Sequence, residues 1–165
     1  MRTLSYPAAV LVAVLAAVTF AAALAAESRP LPRFVSLRAD EVKMRTGPGV
    51  QYPVEWVYHR RRLPVEIIAE YQTWRKVRDW QGSQGWIHQS LLSANRTFIV
   101  TGAVRAIREK AAPESRPVAR AEAGVIGRLV QCPGDGVWCR VEVEGHEGWL
   151  RRVDFWGVHR GEVVK

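Results

Sequence analysis

The sequence predicts an all-β protein of two small β-barrels in tandem, packed together behind an apolar N-terminal segment. Three observations carry this. The first is an internal repeat: Met44-Arg45, Pro53-Val54, Trp74-x-x-Val77 and Gly82-x-x-Gly85-Trp86 recur as Ile107-Arg108, Pro117-Val118, Trp138-x-x-Val141 and Gly145-x-x-Gly148-Trp149. From Arg to Pro-Val is eight residues in one copy and nine in the other, and from Trp to Gly-Trp is twelve and eleven. Independent loops would not hold such spacings, so duplication of one unit is the economical explanation. The second is a succession of short runs rich in Val, Ile, Trp and Tyr, broken by Gly, Pro or charged turns. The third is that no stretch after residue 25 shows a sustained helical stripe.

Taken in order, the first copy offers strands at Glu41–Arg45, Val54–His59, Leu63–Glu70, Trp74–Arg78 and Gly85–His88, then a single 3₁₀ turn at Ser90-Leu91-Leu92. Ser93 to Thr97 is the junction, too short to let the copies move freely. The second copy offers Val104–Ile107, Val125–Gln131, Trp138–Glu144 and Glu147–Leu150, with a further strand around Pro117. Neither copy is long enough for a large core, so the two are expected to share buried surface. The expected division is residues 1–25 as signal peptide, 26–33 as leader, 34–93 and 97–157 as the two barrels, and 158–165 as a C-terminal tail.

The N-terminal reading rests on composition. Met1 to Pro7 carries Arg2 as its one side-chain charge, Ala8 to Ala25 is uncharged and rich in Ala, Val and Leu, and Ala23-Leu24-Ala25 supplies small residues for cleavage. That is the pattern of a secretory signal peptide. An uncleaved anchor is the alternative, since the apolar run approaches the length needed to span a bilayer. Either way the protein is expected to be exported, periplasmic or secreted, with no second membrane segment.

The net charge of +8 falls to about +7 once Arg2 is removed with the signal. A basic surface seeks phosphate, anionic lipid or acidic glycan, and its sign alone does not choose among them. Export argues against DNA and RNA and for wall polymers or anionic membrane surfaces. Cys132 and Cys139 flank Pro133-Gly134-Asp135-Gly136, whose Pro-Gly and Asp-Gly steps mark a tight reversal that would set the thiols opposite each other on paired strands. In an oxidising compartment such a pair closes as a structural disulfide. The competing reading, a redox pair, lacks both Cys-x-x-Cys spacing and a following helix to lower a thiol pKa.

The run Val42-Lys43-Met44-Arg45-Thr46-Gly47-Pro48-Gly49-Val50-Gln51-Tyr52-Pro53-Val54, with Trp74-Arg75-Lys76-Val77 and Gly85-Trp86-Ile87-His88, resembles the bacterial SH3 (SH3b) domain family. The resemblance covers nearly all of residues 35–92 and, more loosely, 104–155, where Glu109-Lys110-Ala111-Ala112 replaces the family's Gly-Pro turn. It implies two SH3-like barrels, as in exported tandem proteins of proteobacterial type whose second copy carries a Cys pair. It also implies a wall-targeting or peptide-binding role.

Candidate ligand contacts are Arg45, Tyr52, Trp74 and Trp80. Arg45 and Tyr52 flank Thr46-Gly47-Pro48-Gly49, a turn that backbone needs alone would explain, Pro fixing φ and the glycines admitting positive φ. In the resembled fold this loop borders the ligand groove. Along Trp74–Val77, the strand period of two puts Val77 inward and Trp74 outward; Trp138 and Val141 repeat the relation, with Trp138 a weaker candidate. Trp80 stands in Asp79-Trp80-Gln81-Gly82-Ser83, a polar turn with no visible core requirement, so its ring is read either as a sugar or peptide contact or as folding back on the other copy. Trp56 and Tyr58 share a strand face, available to an aromatic groove or to burial. Trp86 and Trp149 precede better core candidates, Ile87 and Leu150, and are read as covers for the barrel end. Arg60, Arg61 and Arg62 form the densest basic run, either a solvated bend or a site for an anionic surface whose affinity falls with salt.

No catalytic site is predicted. His59, His88, His146 and His159 are scattered without metal-ligand spacing, no Gly-x-Ser-x-Gly or phosphate-loop motif occurs, and no cofactor or metal is implied. The function expected is non-catalytic recognition of peptidoglycan or peptide in the cell envelope. The alternatives are an envelope protein–protein adaptor taking an extended or Pro-rich segment, and an anionic-lipid binder. The second copy, with Arg116 where Tyr52 would fall, is expected to support the first or to bind something else.

Overall fold

The computed structural model describes residues 29–134 and 136–165. The segment read as a signal peptide therefore lies outside the described residues, as does Asp135 of the cysteine turn. Among the described residues no helix is long and apolar enough to cross a membrane.

The first copy contains β1 (Arg33–Leu37), β2 (Val42–Arg45), β3 (Val54–Tyr58), β4 (Pro64–Tyr71), β5 (Trp74–Arg78), β6 (Gln84–His88) and β7 (Leu92–Ser93). The second contains β8 (Thr97–Val100), β9 (Arg105–Arg108), β10 (Pro117–Ala121), β11 (Ile126–Gln131), β12 (Trp138–Val143), β13 (His146–Arg151) and β14 (Phe155–Trp156). A 3₁₀ turn precedes the last strand of each, at Gln89–Leu91 and Arg152–Asp154. The spatial orders are β3-β2-β6-β5-β4-β1-β7 and β10-β9-β13-β12-β11-β8-β14. Each number in the second list is seven more than its counterpart in the first, so the repeat read from the sequence is a repeat of topology.

Each sheet curls around its own core. Leu37, Val42, Tyr58, Val65, Val77, Ile87 and Leu92 come one from each of β1 to β7, yet they belong to a single buried cluster. A flat seven-stranded sheet could not bring its two edges together in this way. The second cluster likewise draws on β8 to β14, through Phe98, Ile107, Ala121, Leu129, Val141, Leu150 and Phe155. The expected inward placement of Val77, Ile87, Val141 and Leu150 is found.

Four strands escape the sequence-based reading: the two-residue β7 and β14, which close the copies, and β1 and β8, which open them. Apart from Arg33, β1 and β8 fall inside the expected barrel ranges 34–93 and 97–157, but the sequence offers no strand signal at either place. All four residues of β8 are buried. Strand alternation sends Phe98 and Val100 into the second core and Ile99 into the first, so β8 is the seam between barrels. Because both faces are covered, no polar–apolar alternation marks the strand. Polar ties reinforce the seam: Thr97 Oγ1 donates to the Arg62 carbonyl at 2.8 Å, Arg60 Nη2 to Gly124 O at 2.7 Å and Ser36 Oγ to Asn95 O at 2.8 Å.

Residues 158–165 are integrated into the fold. Val164 pairs with Cys132 through backbone bonds of 2.9 and 3.0 Å. Arg96 and Glu162 form a two-pronged ion pair, and Phe34 on the outer face of β1 packs against Trp156 and His159. Arg152 donates to the carbonyls of Gly136, His159 and Glu162 and to Pro133, tying this segment to the cysteine turn. Cys132 and Cys139 are joined, with Cα atoms 4.4 Å apart, and both are fully buried in the second core.

Candidate functional site

β2 ends at Arg45, where its ladder with β3 bulges between Met44 and Arg45. The guanidinium turns back over the following loop: its Nη1 donates to Val50 O at 3.1 Å and to Tyr52 O at 2.7 Å. A backbone bond from Thr46 N to Pro53 O (3.1 Å) closes the same loop. Neither Gly47 nor Gly49 has positive φ, contrary to the turn argument from sequence. Gly47 is needed for space instead, because a Cβ there would lie 2.3 Å from the Tyr52 ring. Tyr52 therefore lies across the loop backbone with its ring still partly exposed.

The hairpin of β5 and β6 sets Trp74 opposite His88. Their rings meet edge to face, with centroids 5.4 Å apart. His88 Nδ1 stands 2.8 Å from Ser90 Oγ in the 3₁₀ turn. Together with Glu41, Lys43, Val50 and Leu91, the residues Arg45, Trp74 and His88 line an open groove of about 310 Å³. Glu41 and Lys43 are paired at 3.5 Å, which leaves Arg45 as the groove's least compensated charge.

Of the four residues singled out from sequence, Arg45 and Trp74 meet in this groove. Tyr52 shapes its loop. Trp80 does not line it: the β5–β6 turn is at the other end of β5 from Trp74, roughly 13 Å along the strand. There Asp79 organises the turn, its Oδ1 accepting from the N–H groups of Gln81 and Ser83, both at 2.9 Å. Its Oδ2 accepts from the buried Tyr58 hydroxyl at 3.0 Å. Burial, and next the Asp79 charge, push the Tyr58 hydroxyl well above the usual tyrosine range. Trp80 packs half-buried against the first core. Trp56, by contrast, is 57% exposed on edge strand β3, although Tyr58 two residues on is buried.

The sequence reading missed His88, Glu41, Lys43 and Leu91. His88 had a signal: with the β5–β6 turn centred on Gln81, hairpin symmetry pairs Trp74 with His88. The basic run is divided. Arg60 and the Arg62 backbone serve the barrel seam, whereas Arg61 stays exposed.

A second groove, also of about 310 Å³, occupies the equivalent position on the second barrel. Trp138 stands for Trp74, Arg108 for Arg45, Arg151 for His88 and Asp154 for Leu91, with Val104, Arg105, Ala106 and Pro113 completing it. In register, Trp138 faces Arg151 as Trp74 faces His88.

Tandem small antiparallel barrels, each with a groove between its first long loop and a tryptophan-bearing strand, define an SH3-type module. The chain belongs to the bacterial SH3 domain family, which matches it over residues 38–94 and again over 102–157. No curated protein matches the chain. Among solved structures it is similar to NlpC1 from Trichomonas vaginalis, at 14% identity and a TM-score of 0.35 over 79% of this chain and 48% of that one. It is also similar to NlpC2 from the same organism, at 13% identity and 0.35 over 78% and 49%. The chain thus spans about half the length of each.

Proposed function

We propose that this protein is a non-catalytic recognition module of the cell envelope, exported through the signal in residues 1–25, whose first groove takes peptidoglycan. Bacterial SH3 domains generally bind wall or peptide ligands and are typically non-catalytic, which supports the class. The observation that carries the reading is the joining of Arg45 and the Trp74 ring in one open groove. The Arg45 Nη1 is engaged by two carbonyls, which orients the guanidinium and leaves its Nε and Nη2 donors for a carboxylate. The Trp74 face suits a sugar or an apolar peptide surface. The two cysteines, the chain's most nucleophilic residue type, are locked together, in keeping with binding rather than covalent chemistry.

Sedimentation with purified, protein-free sacculi tests this. The protein is expected to co-sediment, to release no soluble muropeptides, and to lose about tenfold in retention on Trp74→Ala, the order of one interface aromatic. Free protein in the supernatant, or retention indifferent to Trp74, contradicts it.

One observation favours a second reading, a protein–protein adaptor. β3 ends its sheet and carries the exposed Val54 and Trp56, so an extended partner segment could pair along it. Capture of one envelope protein without sacculus binding, abolished by Trp56→Ala and not by Trp74→Ala, would select that reading.

A further inference from the structure

The second groove repeats the position of the first with different chemistry. Three arginines, Arg105, Arg108 and Arg151, surround it with a single carboxylate, Asp154. Asp154 is buried beneath them and already doubly held: Arg151 Nε reaches its Oδ2 at 2.9 Å, Arg151 Nη2 its Oδ1 at 3.2 Å, and Arg105 Nη1 its Oδ1 at 3.2 Å. One carboxylate thus fixes two guanidiniums and neutralises one charge, leaving a surplus of two.

Most of the donors stay unengaged. A guanidinium has five N–H groups; the hydrogen bonds above use two on Arg151, while Arg105 is held to Asp154 as an ion pair. Arg105 Nε is buried with no hydrogen-bond partner, a costly condition for a charged group's donor. Arg108 uses one Nη1 bond, to Ser115 O at 2.6 Å. Trp138 adds a flat apolar wall beside these fixed cations, and Val104 and Pro113 add apolar rim. The first groove has a smaller surplus: Glu41 pairs with Lys43, which leaves only the single charge of Arg45.

We propose that the second groove is a separate binding site for an acidic peptide segment, one presenting two carboxylates to the arginines while its backbone and an apolar side chain lie against Trp138. Two carboxylates match the surplus of two, and guanidiniums pair with carboxylates through parallel N–H donors. A compact single anion would leave the tryptophan wall and the spread of three arginines unused. This inference is independent of what the first groove binds.

The probe is acetyl-Glu-Ala-Glu-amide, titrated into the full chain carrying ¹⁵N-labelled tryptophan, with acetyl-Gln-Ala-Gln-amide and inorganic phosphate as separate arms. The Trp138 indole cross-peak is expected to shift saturably with the Glu peptide while the Trp74 peak stays in place. Arg108→Gln is expected to weaken binding about tenfold, the order of one charge-assisted hydrogen bond. Arg108→Lys, which keeps the charge, should lose less, and an unmoved Trp74 peak in both variants certifies the fold. Affinity of the unmodified protein should fall as salt is raised, a readout that needs no variant. The inference is overturned by an unmoved Trp138 peak, by equal response to the Gln peptide, by salt-independent affinity, or by phosphate shifting Trp138 as strongly as the peptide does.

Discussion

Tyr58 and Asp79 show how much one buried hydrogen bond holds in a barrel this small. The hydroxyl donates to a carboxylate that also accepts two backbone N–H groups of the β5–β6 turn. Tyr58→Phe removes one of three bonds from a buried anion, and should cost about 1–3 kcal/mol of stability in urea unfolding. A raised tyrosine pKa adds a pH signature. Its contribution is complete below about pH 10, the unfolded value, and declines as pH climbs toward the higher folded value. The unmodified protein should therefore lose stability above that pH more steeply than Tyr58→Phe, and parallel alkaline profiles would contradict the assignment. At this scale the sequence was legible in part. Asp79-Trp80-Gln81-Gly82-Ser83 reads correctly as a polar turn, but composition cannot reveal that Tyr58 arrives from β3 to cap it. Gly47 was recognised as necessary for the wrong reason, because a close approach by Tyr52 and a positive φ both call for glycine.

Among the elements, the C-terminal segment shows most clearly how tertiary contact overrides a featureless sequence. Residues 158–165 carry no strand or helix signal, yet they bridge β1, the Arg96 junction and the cysteine turn. Burial alone would raise the Glu162 carboxyl; the Arg96 hydrogen bonds and the His159 N–H outweigh it and hold the group below its ordinary range. A depressed carboxylate pKa contributes stability above the unfolded value, near 4.3, and loses it as pH falls through the folded one. Glu162→Gln should therefore melt lower than the unmodified protein at pH 7, and the gap should narrow as pH is lowered toward 3. A gap that stays constant across that range would show that Glu162 acts through packing alone. β1 and β8 were hidden for a related reason. A strand buried on both sides loses the alternation by which half-exposed strands such as β5 are recognised.

At the scale of the whole molecule, duplication explains both what was readable and what was not. The spacing of Trp and Gly-Trp pairs identified the repeat because those residues set the β5–β6 and β12–β13 hairpins in both copies. It also aligned Arg45 with Arg108 and Trp74 with Trp138, which fixes the two grooves. What spacing could not supply was how the grooves differ, since that depends on cross-strand partners: His88 in one, and Arg151 held by Asp154 in the other. Ile99 from the second copy sits in the first copy's core, so the barrels form one body with two unlike grooves. The proposed recognition of peptidoglycan rests on the first of these grooves. The most direct measurement is a titration of the ¹⁵N-tryptophan-labelled protein with soluble disaccharide-peptide fragments of peptidoglycan. The Trp74 indole should shift saturably while Trp80, packed at the far end of β5, holds still. A Trp74 peak that does not move at saturating fragment, or a response confined to Trp80, would contradict it.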